Sequence, residues 1–190
     1  LAELNQKWPT YYNDIHLAEP LQELRCGSPQ YEIAKALDII KSVDVPEIGG
    51  MYEYVTNYIP RLSIDLRPLY GTTAAYSFPK KLKRHQVGVE LYQSFFSFDD
   101  QPSLQAIRDI VGAAILVHES RHMALIKNAD HEVCRQGQFS GKEACDKKFI
   151  PDWNNANAHS FEILFLKRLL NSNSQYSKTT DRVALKRYIN

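Results

Sequence analysis

Residues 118–122 read HESRH, and this stretch is the part of the sequence best suited to chemistry. Residues four apart on a helix point the same way, about one turn along. His118 and His122 can therefore present two imidazole nitrogens to one metal ion, an arrangement that suits zinc. Glu119 lies one residue further round the helix and cannot be a ligand on the same face. A carboxylate at position 119 can instead lie next to the metal position that is left for water. It can take a proton from that water and later deliver the proton to a leaving group. The alternative is that both histidines are ordinary core or surface groups.

The pattern around the motif predicts a long helix that carries it. Pro102 and Ser103 form a start signal, because a serine side chain can cap the free N–H groups of a first helical turn. Apolar residues then recur at helical spacing and lead into the two histidines. The positions on this stripe are Leu104, Ile107, Val111, Ala114, Ile115, His118 and His122.

The rest of the chain predicts helices on both sides of a few strands. Helical periodicity marks residues 31–43 and 51–58 before the motif and residues 158–170 and 182–189 after it. Alternation of apolar and polar residues marks strands near 62–66, 72–78 and 87–96, and Gly88 favours an edge position for the last of these. Residues 128–158 lose all periodicity and are predicted to be a long loop.

Length and composition indicate one soluble globular domain. The chain has 190 residues, of which 44% are hydrophobic and 24% are charged, and its formal net charge is +1. Such a balance gives no overall attraction to nucleic acid or to a membrane. We expect a single α+β domain over residues 1–190, with a small mixed β-sheet. Its parts are a mainly helical segment at 1–60, the strands and motif helix at 61–127, and a loop with C-terminal helices at 128–190.

Three cysteines leave at least one thiol unpaired in a monomer. Cys134 and Cys145 lie close together in a polar segment, whereas Cys26 is distant in sequence. A local disulfide between Cys134 and Cys145 is plausible, and it would favour an exported protein, either periplasmic or secreted. The alternative is two buried thiols that never meet.

The HESRH stretch resembles the motif of the zincins, the H-E-x-x-H zinc metallopeptidases. The resemblance covers roughly residues 60–170 in the order of elements, but only residues 118–122 as motif. It implies a zincin-like fold with a long active-site helix, one zinc ion, and amide hydrolysis with Glu119 as general base. It also implies that an edge strand, here residues 87–92, pairs with the backbone of a substrate.

The third zinc ligand does not follow the pattern of either large zincin group. After His122 the chain continues Met123-Ala124-Leu125-Ile126-Lys127, without the glycine and the third histidine of the metzincins. In gluzincins a glutamate on a second helix completes the site. Glu162 is in such a helix, but it lacks the sequence context of that group.

His131 is the favoured third ligand. It follows His122 by nine residues, after an Asn-Ala-Asp stretch that can turn the chain. A disulfide between Cys134 and Cys145 would support the loop that carries it, as a ligand on a loop requires. The motif together with His131 and Cys134 also resembles a set of bacterial H-E-x-R-H proteins in which a His-x-x-Cys sequence follows the motif.

Glu162 and His159 are the alternatives to His131, in that order. They are i, i+3 neighbours on one predicted helix. If one faces the metal, the other can support a ligand or donate to an oxyanion. Arg121 is expected to point away from the metal and to pair with a carboxylate such as Asp130 or Asp146.

The sequence therefore predicts a zinc-dependent peptidase in which His118, His122 and His131 hold one Zn²⁺ and Glu119 is catalytic. The expected partner is a peptide or protein substrate. We expect no nucleic acid, no membrane span and a monomeric chain. The alternative from another functional class is a zincin-shaped protein without catalysis, which binds a peptide or protein partner in its cleft. A structural zinc site has four protein ligands, whereas a catalytic site keeps one position open.

Overall fold

The computed structural model describes residues 28–65, 74–78, 87–96, 107–125, 132–133, 143–145, 148–179 and 181–189. Its helices are α1 (Pro29–Lys41), α2 (Met51–Tyr58), α3 (Gln93–Phe96), α4 (Arg108–Ala124), α5 (Ala158–Asn171), α6 (Gln175–Thr179) and α7 (Arg182–Ile189), with a 3₁₀ turn at Pro46–Ile48. Its strands are β1 (Leu62–Asp65), β2 (Ala75–Phe78), β3 (Gly88–Tyr92), β4 (Glu132–Val133) and β5 (Glu143–Cys145). The expected α+β class with a small mixed sheet is confirmed.

The first described helix forms where its periodicity predicts, two residues earlier at each end. Pro29 occupies its first turn, where a missing N–H costs nothing. Ser28 caps that turn, because its Oγ accepts from the Tyr31 N–H at 3.3 Å. Ile33 and Ile40 on its inner face are fully buried. This face packs against α4, the helix that carries the HESRH motif.

Strand β3 is the central strand of the three-stranded sheet. It pairs in parallel with β1 on one side and antiparallel with β2 on the other, so that the order is β1-β3-β2. The prediction of an edge strand at residues 87–96 is therefore wrong. The strand also ends at Tyr92, and Gln93–Phe96 turns into α3. Because both sides of β3 are already hydrogen-bonded, a substrate backbone cannot add to it there.

Gly88 allows β1 and β3 to approach each other at the start of their pairing. Its φ is +155°, and a Cβ at this position would lie 2.5 Å from the carbonyl oxygen of Arg61. The Val89 N–H donates to that same carbonyl at 2.9 Å, so the carbonyl cannot move away without loss of a ladder bond. The glycine therefore serves close strand packing rather than marking an edge.

We expect Gly88→Ala to lower the free energy of unfolding by about 1–3 kcal/mol, because the added methyl group meets fixed backbone. For a chain of this length, the fall in Tm is roughly 2–12 °C. The matched control is Gly112→Ala in α4, where a Cβ would lie 3.4 Å from Phe95 Cζ, an ordinary contact. That variant should be neutral or slightly more stable, since alanine favours a helix interior. Equal melting temperatures for the two variants would contradict this interpretation.

Helix α4 lies at the centre of the core. It packs against α1, α2, α5 and β2, and the faces that do so bury Val111, Ala114 and Val117 almost completely. The helix begins at Arg108, four residues later than expected, because Ile107 departs from helical geometry (φ −123°, ψ 15°). The expected cap Ser103 and first stripe residue Leu104 lie outside the described residues.

Two short strands lie in the stretch that was predicted to be a long loop. β4 and β5 pair antiparallel, with an irregularity in register between Glu132 and Val133. Two or three residues are too few for alternation to be recognised in a sequence. Cys26 and Cys134 lie outside the described residues, so the disulfide between Cys134 and Cys145 stays a prediction. Over the part of the chain that the structure describes, none of the helices combines the length and apolar character needed to span a membrane.

Candidate metal centre

His118 and His122 direct the same ring nitrogen at each other from successive turns of α4. Their Nε2 atoms are 3.0 Å apart and their ring centroids 4.8 Å apart. Two nitrogens bound to one tetrahedral zinc ion at the usual bond length lie about 3.3 Å apart. The spacing of the two nitrogens is thus close to that of two ligands of one ion, and in the structure the two rings form a hydrogen bond whose direction depends on their tautomers. Both residues, with Ile115 before them, are half-buried on a helix whose other faces are largely buried. This strip is where α4 is most accessible to solvent near the motif.

Glu162 of α5 approaches His118 from the other side of its ring. The Glu162 Oε2 atom lies 3.0 Å from His118 Nδ1. An ionised carboxylate has only acceptors, so the proton of the neutral imidazole is assigned to Nδ1. The Nε2 atom then carries the lone pair, and it is the atom that faces His122. A carboxylate that accepts from the outer nitrogen of a metal-binding histidine is a common way to fix its tautomer.

The second oxygen of Glu162 is bonded by a residue from the last described helix. The Tyr188 hydroxyl of α7 donates to Glu162 Oε1 at 2.8 Å. Glu162 itself is only 8% exposed. Each oxygen of this buried carboxylate therefore has a donor, and the three side chains form one hydrogen-bonded row from α7 through α5 to α4. Sequence analysis missed Tyr188, because nothing in its local pattern relates it to Glu162.

Glu119 is buried beside the histidine pair. It is only 8% exposed, on a face of α4 adjacent to the strip that carries His118 and His122. It directly follows His118 in the helix and lies on a buried side of α4 rather than on the half-buried strip. This position agrees with a role other than that of a third ligand on the same face.

The remaining candidate ligands are divided between described and undescribed parts of the chain. His131 lies outside the described residues, and its role as third ligand stays a prediction. His159 is half-buried in the first turn of α5, three residues before Glu162. Within the described residues, no group of three or more His, Cys, Asp or Glu side chains is arranged to hold a metal ion. The described residues thus supply two imidazole side chains as candidate ligands, His118 and His122. Glu162 contacts His118 at Nδ1, the ring nitrogen that faces away from His122.

Arg121 points into the protein, away from the histidine strip. Its Nε donates to the Ala156 carbonyl at 2.8 Å, and one terminal nitrogen donates to the Asn154 carbonyl at 2.7 Å. The other terminal nitrogen donates to the Tyr54 hydroxyl of α2 at 2.8 Å. The expected carboxylate partners Asp130 and Asp146 lie outside the described residues. The three hydrogen-bond acceptors described for Arg121 are therefore uncharged, and two of them are backbone carbonyls just before α5.

The surroundings of Arg121 are aromatic. Its guanidinium lies 4.9 Å from the centroid of the Phe161 ring, which also packs against Tyr54 at 4.8 Å. Burial raises the pKa of the Tyr54 hydroxyl, while the nearby Arg121 acts in the opposite direction. The hydroxyl is therefore protonated at neutral pH and can accept from Arg121 without carrying charge. Sequence analysis missed Tyr54 as a partner of the motif.

The start of α5 is fixed by a set of local hydrogen bonds. Asn157 caps the helix, since its Oδ1 accepts from the Ser160 N–H at 2.8 Å. The Ser160 hydroxyl in turn accepts from the Ile150 N–H at 2.9 Å. Asparagine one residue before an apolar helical pattern is a recognised cap signal that could have been found from the sequence. Together with Arg121, these contacts fix where Glu162 meets α4.

Comparison of the chain with models of known protein families, with curated proteins and with solved structures found no match. The likeness to the zincins therefore rests on the motif, and the case for function rests on the geometry of the residues around it.

Proposed function

We propose that this chain is a zinc-dependent peptidase with a zincin-like fold. The observation that carries the proposal is the convergence of His118 Nε2 and His122 Nε2 at 3.0 Å, with His118 held in the required tautomer by Glu162. With the His118 proton on Nδ1, this contact is a hydrogen bond that His122 Nε2 donates to the lone pair of His118 Nε2, and a zinc ion would take the place of the donated proton. His131 is proposed as the third ligand.

The donor set fits zinc. Imidazole nitrogen is a preferred zinc ligand, and three protein ligands leave one position open, as catalysis requires. A zinc ion held there would supply Lewis-acid polarisation of the substrate carbonyl. Glu162 is proposed to orient His118 rather than to bind the metal, because its Oε2 lies at Nδ1 and its Oε1 accepts from Tyr188.

Glu119 is proposed as the general base. Its carboxylate would take a proton from the attacking water and deliver it to the leaving amine of the peptide. Glu119 follows the proposed ligand His118 directly in sequence, and its low exposure of 8% limits access of bulk water to it. An extended substrate would pair with the outer side of β2. Among the described strands, β2 has a partner on one side only, and it packs against α4.

The metal content of the purified protein tests this proposal. After reconstitution with zinc, elemental mass spectrometry should find about one zinc per wild-type chain. His118→Ala and His131→Ala should lose most of the metal, since each removes a nitrogen ligand. His159→Ala is the matched control, because it removes a histidine that we place outside the ligand set, and it should retain the zinc.

Two outcomes would contradict parts of the proposal. If the reconstituted wild type holds no zinc, the metal centre and the peptidase function are both wrong. If His159→Ala loses zinc while His131→Ala keeps it, the third ligand is His159 and the position of the loop has been misjudged. Circular dichroism of each variant separates loss of a ligand from loss of the fold.

A further inference from the structure

The last described helix, α7, packs on the core through buried Leu185 and the partly buried Ala184, Tyr188 and Ile189, and one of these residues reaches the candidate metal centre. Leu185 is its buried residue, at 1% exposure, whereas Val183 is 60% exposed. The helix packs against α5. Tyr188, one turn beyond Leu185, donates its hydroxyl to Glu162 Oε1 at 2.8 Å. This helix thus provides a hydrogen bond to the residue that contacts His118.

The two carboxylate oxygens of Glu162 contact different residues. Oε2 lies against His118 Nδ1 and Oε1 against the Tyr188 hydroxyl. A buried carboxylate oxygen without a donor is costly, so the carboxylate would turn if the hydroxyl were absent. Such a turn would displace the acceptor at His118 Nδ1. The position of the imidazole therefore depends on the hydroxyl that bonds to Glu162.

We propose that Tyr188 is a positioning residue for the metal centre, acting through Glu162 on His118. The inference rests on the proposed function, since His118 Nε2 is the atom that the row would direct at the metal. Docking of α7 and binding of the metal are then coupled. Because such coupling is reciprocal, metal binding should in turn hold α7 in place.

Zinc affinity in single and double variants tests this chain of contacts. In competition with a chromophoric chelator, Tyr188→Phe should bind zinc about tenfold more weakly, the lower end of what loss of such supporting contacts costs. Glu162→Ala, which removes both carboxylate oxygens, should be weaker by about ten- to a hundredfold. The double variant should be no weaker than Glu162→Ala alone, because Tyr188 acts through Glu162. The proposal would be overturned if Tyr188→Phe lowered zinc affinity by the same factor in the wild type and in the Glu162 variant.

Tyr176→Phe is the matched control. Tyr176 also donates its hydroxyl to a carboxylate, that of Asp38, but this pair lies on α6 and α1 away from the histidines. The control should bind zinc as the wild type does. A second readout is amide hydrogen exchange in α7, which zinc should slow in the wild type and in Tyr176→Phe but not in Tyr188→Phe. Slowing of the same size in all three proteins would contradict the coupling.

A measurement on the metal-free protein separates this proposal from the proposed function. At a fixed pH near 8, two-bond ¹H–¹⁵N spectra report which ring nitrogen of each histidine carries the proton. His118 should be protonated at Nδ1 in the wild type and become a mixture of tautomers in Tyr188→Phe. That result supports the positioning role even if the protein binds no zinc. An unchanged tautomer in Tyr188→Phe would overturn it even if zinc binds.

Discussion

Glu119→Gln should abolish peptide hydrolysis while the protein keeps its zinc. The expected loss in kcat is about 10²–10⁴-fold, the range that general acid–base catalysis contributes. Glutamine has nearly the same shape as glutamate and fits the same buried position, but its amide cannot accept and deliver the proton. Turnover of a quenched fluorescent peptide library and metal content, measured on the same preparation, would show the two effects side by side.

The control for this variant is Glu53→Gln on the exposed face of α2. It makes the same chemical change away from the motif and should leave kcat and zinc content as in the wild type. Hydrolysis retained in Glu119→Gln would refute Glu119 as the base. Zinc lost in that variant would instead make Glu119 a ligand. A wild type that binds zinc but cleaves no peptide would favour the alternative of a zincin-shaped binding protein.

Arg121→Ala should lower the free energy of unfolding by about 3–5 kcal/mol, the largest effect on stability that we expect. Arg121 is 6% exposed. Its three hydrogen bonds join α4 to the Tyr54 hydroxyl and to the carbonyls of Asn154 and Ala156. The substitution leaves these acceptors without their donor and opens a cavity beside Phe161. Urea unfolding followed by circular dichroism measures the change, and Tm should fall by roughly 6–20 °C.

Two further arginine variants sharpen this expectation. Arg121→Lys keeps the charge but cannot reach three acceptors from one ammonium group, so it should recover only part of the loss. Arg168→Ala removes an arginine that pairs with Glu47 at the surface, where both partners are well exposed. That control should change the free energy of unfolding by no more than about 1 kcal/mol. If Arg121→Ala unfolds at the same urea concentration as Arg168→Ala, the buried contacts contribute little.

Local patterns were enough to predict the longer helices that the structure describes, but not the short helices α3 and α6. The helix Met51–Tyr58 and the helices that begin at Ala158 and Arg182 lie where periodicity places them. Each of these elements depends on the spacing of its own apolar residues, which one sequence contains in full. The same reasoning identified the two histidines of the motif, since an i, i+4 spacing fixes their common face as soon as the helix forms.

The place of a strand in the order of the sheet could not be predicted from the residues of that strand alone. Gly88 indicated an edge, whereas the structure pairs β3 on both sides, with β1 in parallel and β2 antiparallel. A parallel neighbour is set by the path of the chain between the strands, and alternation within a strand does not encode that path. Strands β4 and β5 were missed for a simpler reason: they are only two and three residues long.

The contacts around the motif divide in the same way. Glu162 was a candidate because the resemblance to the zincins implied a glutamate ligand on a second helix, but the atom that it meets depends on how α4 and α5 pack. The partners of Arg121 and the contribution of Tyr188 depend on contacts between residues distant in the chain. Such contacts follow from the whole fold, and one sequence without relatives gives no signal for them.

The row from Tyr188 to His118 also sets an order in time for the nascent chain. Glu162 is made 44 residues after His118, and Tyr188 another 26 residues after Glu162. At usual rates of synthesis, roughly 4–14 s pass between the motif and the tyrosine. During that interval the histidines of the growing polypeptide lack the carboxylate, the hydroxyl or both. On the proposed function, metal acquired then would meet an unsupported imidazole, and we expect tight zinc binding only after α7 has been translated.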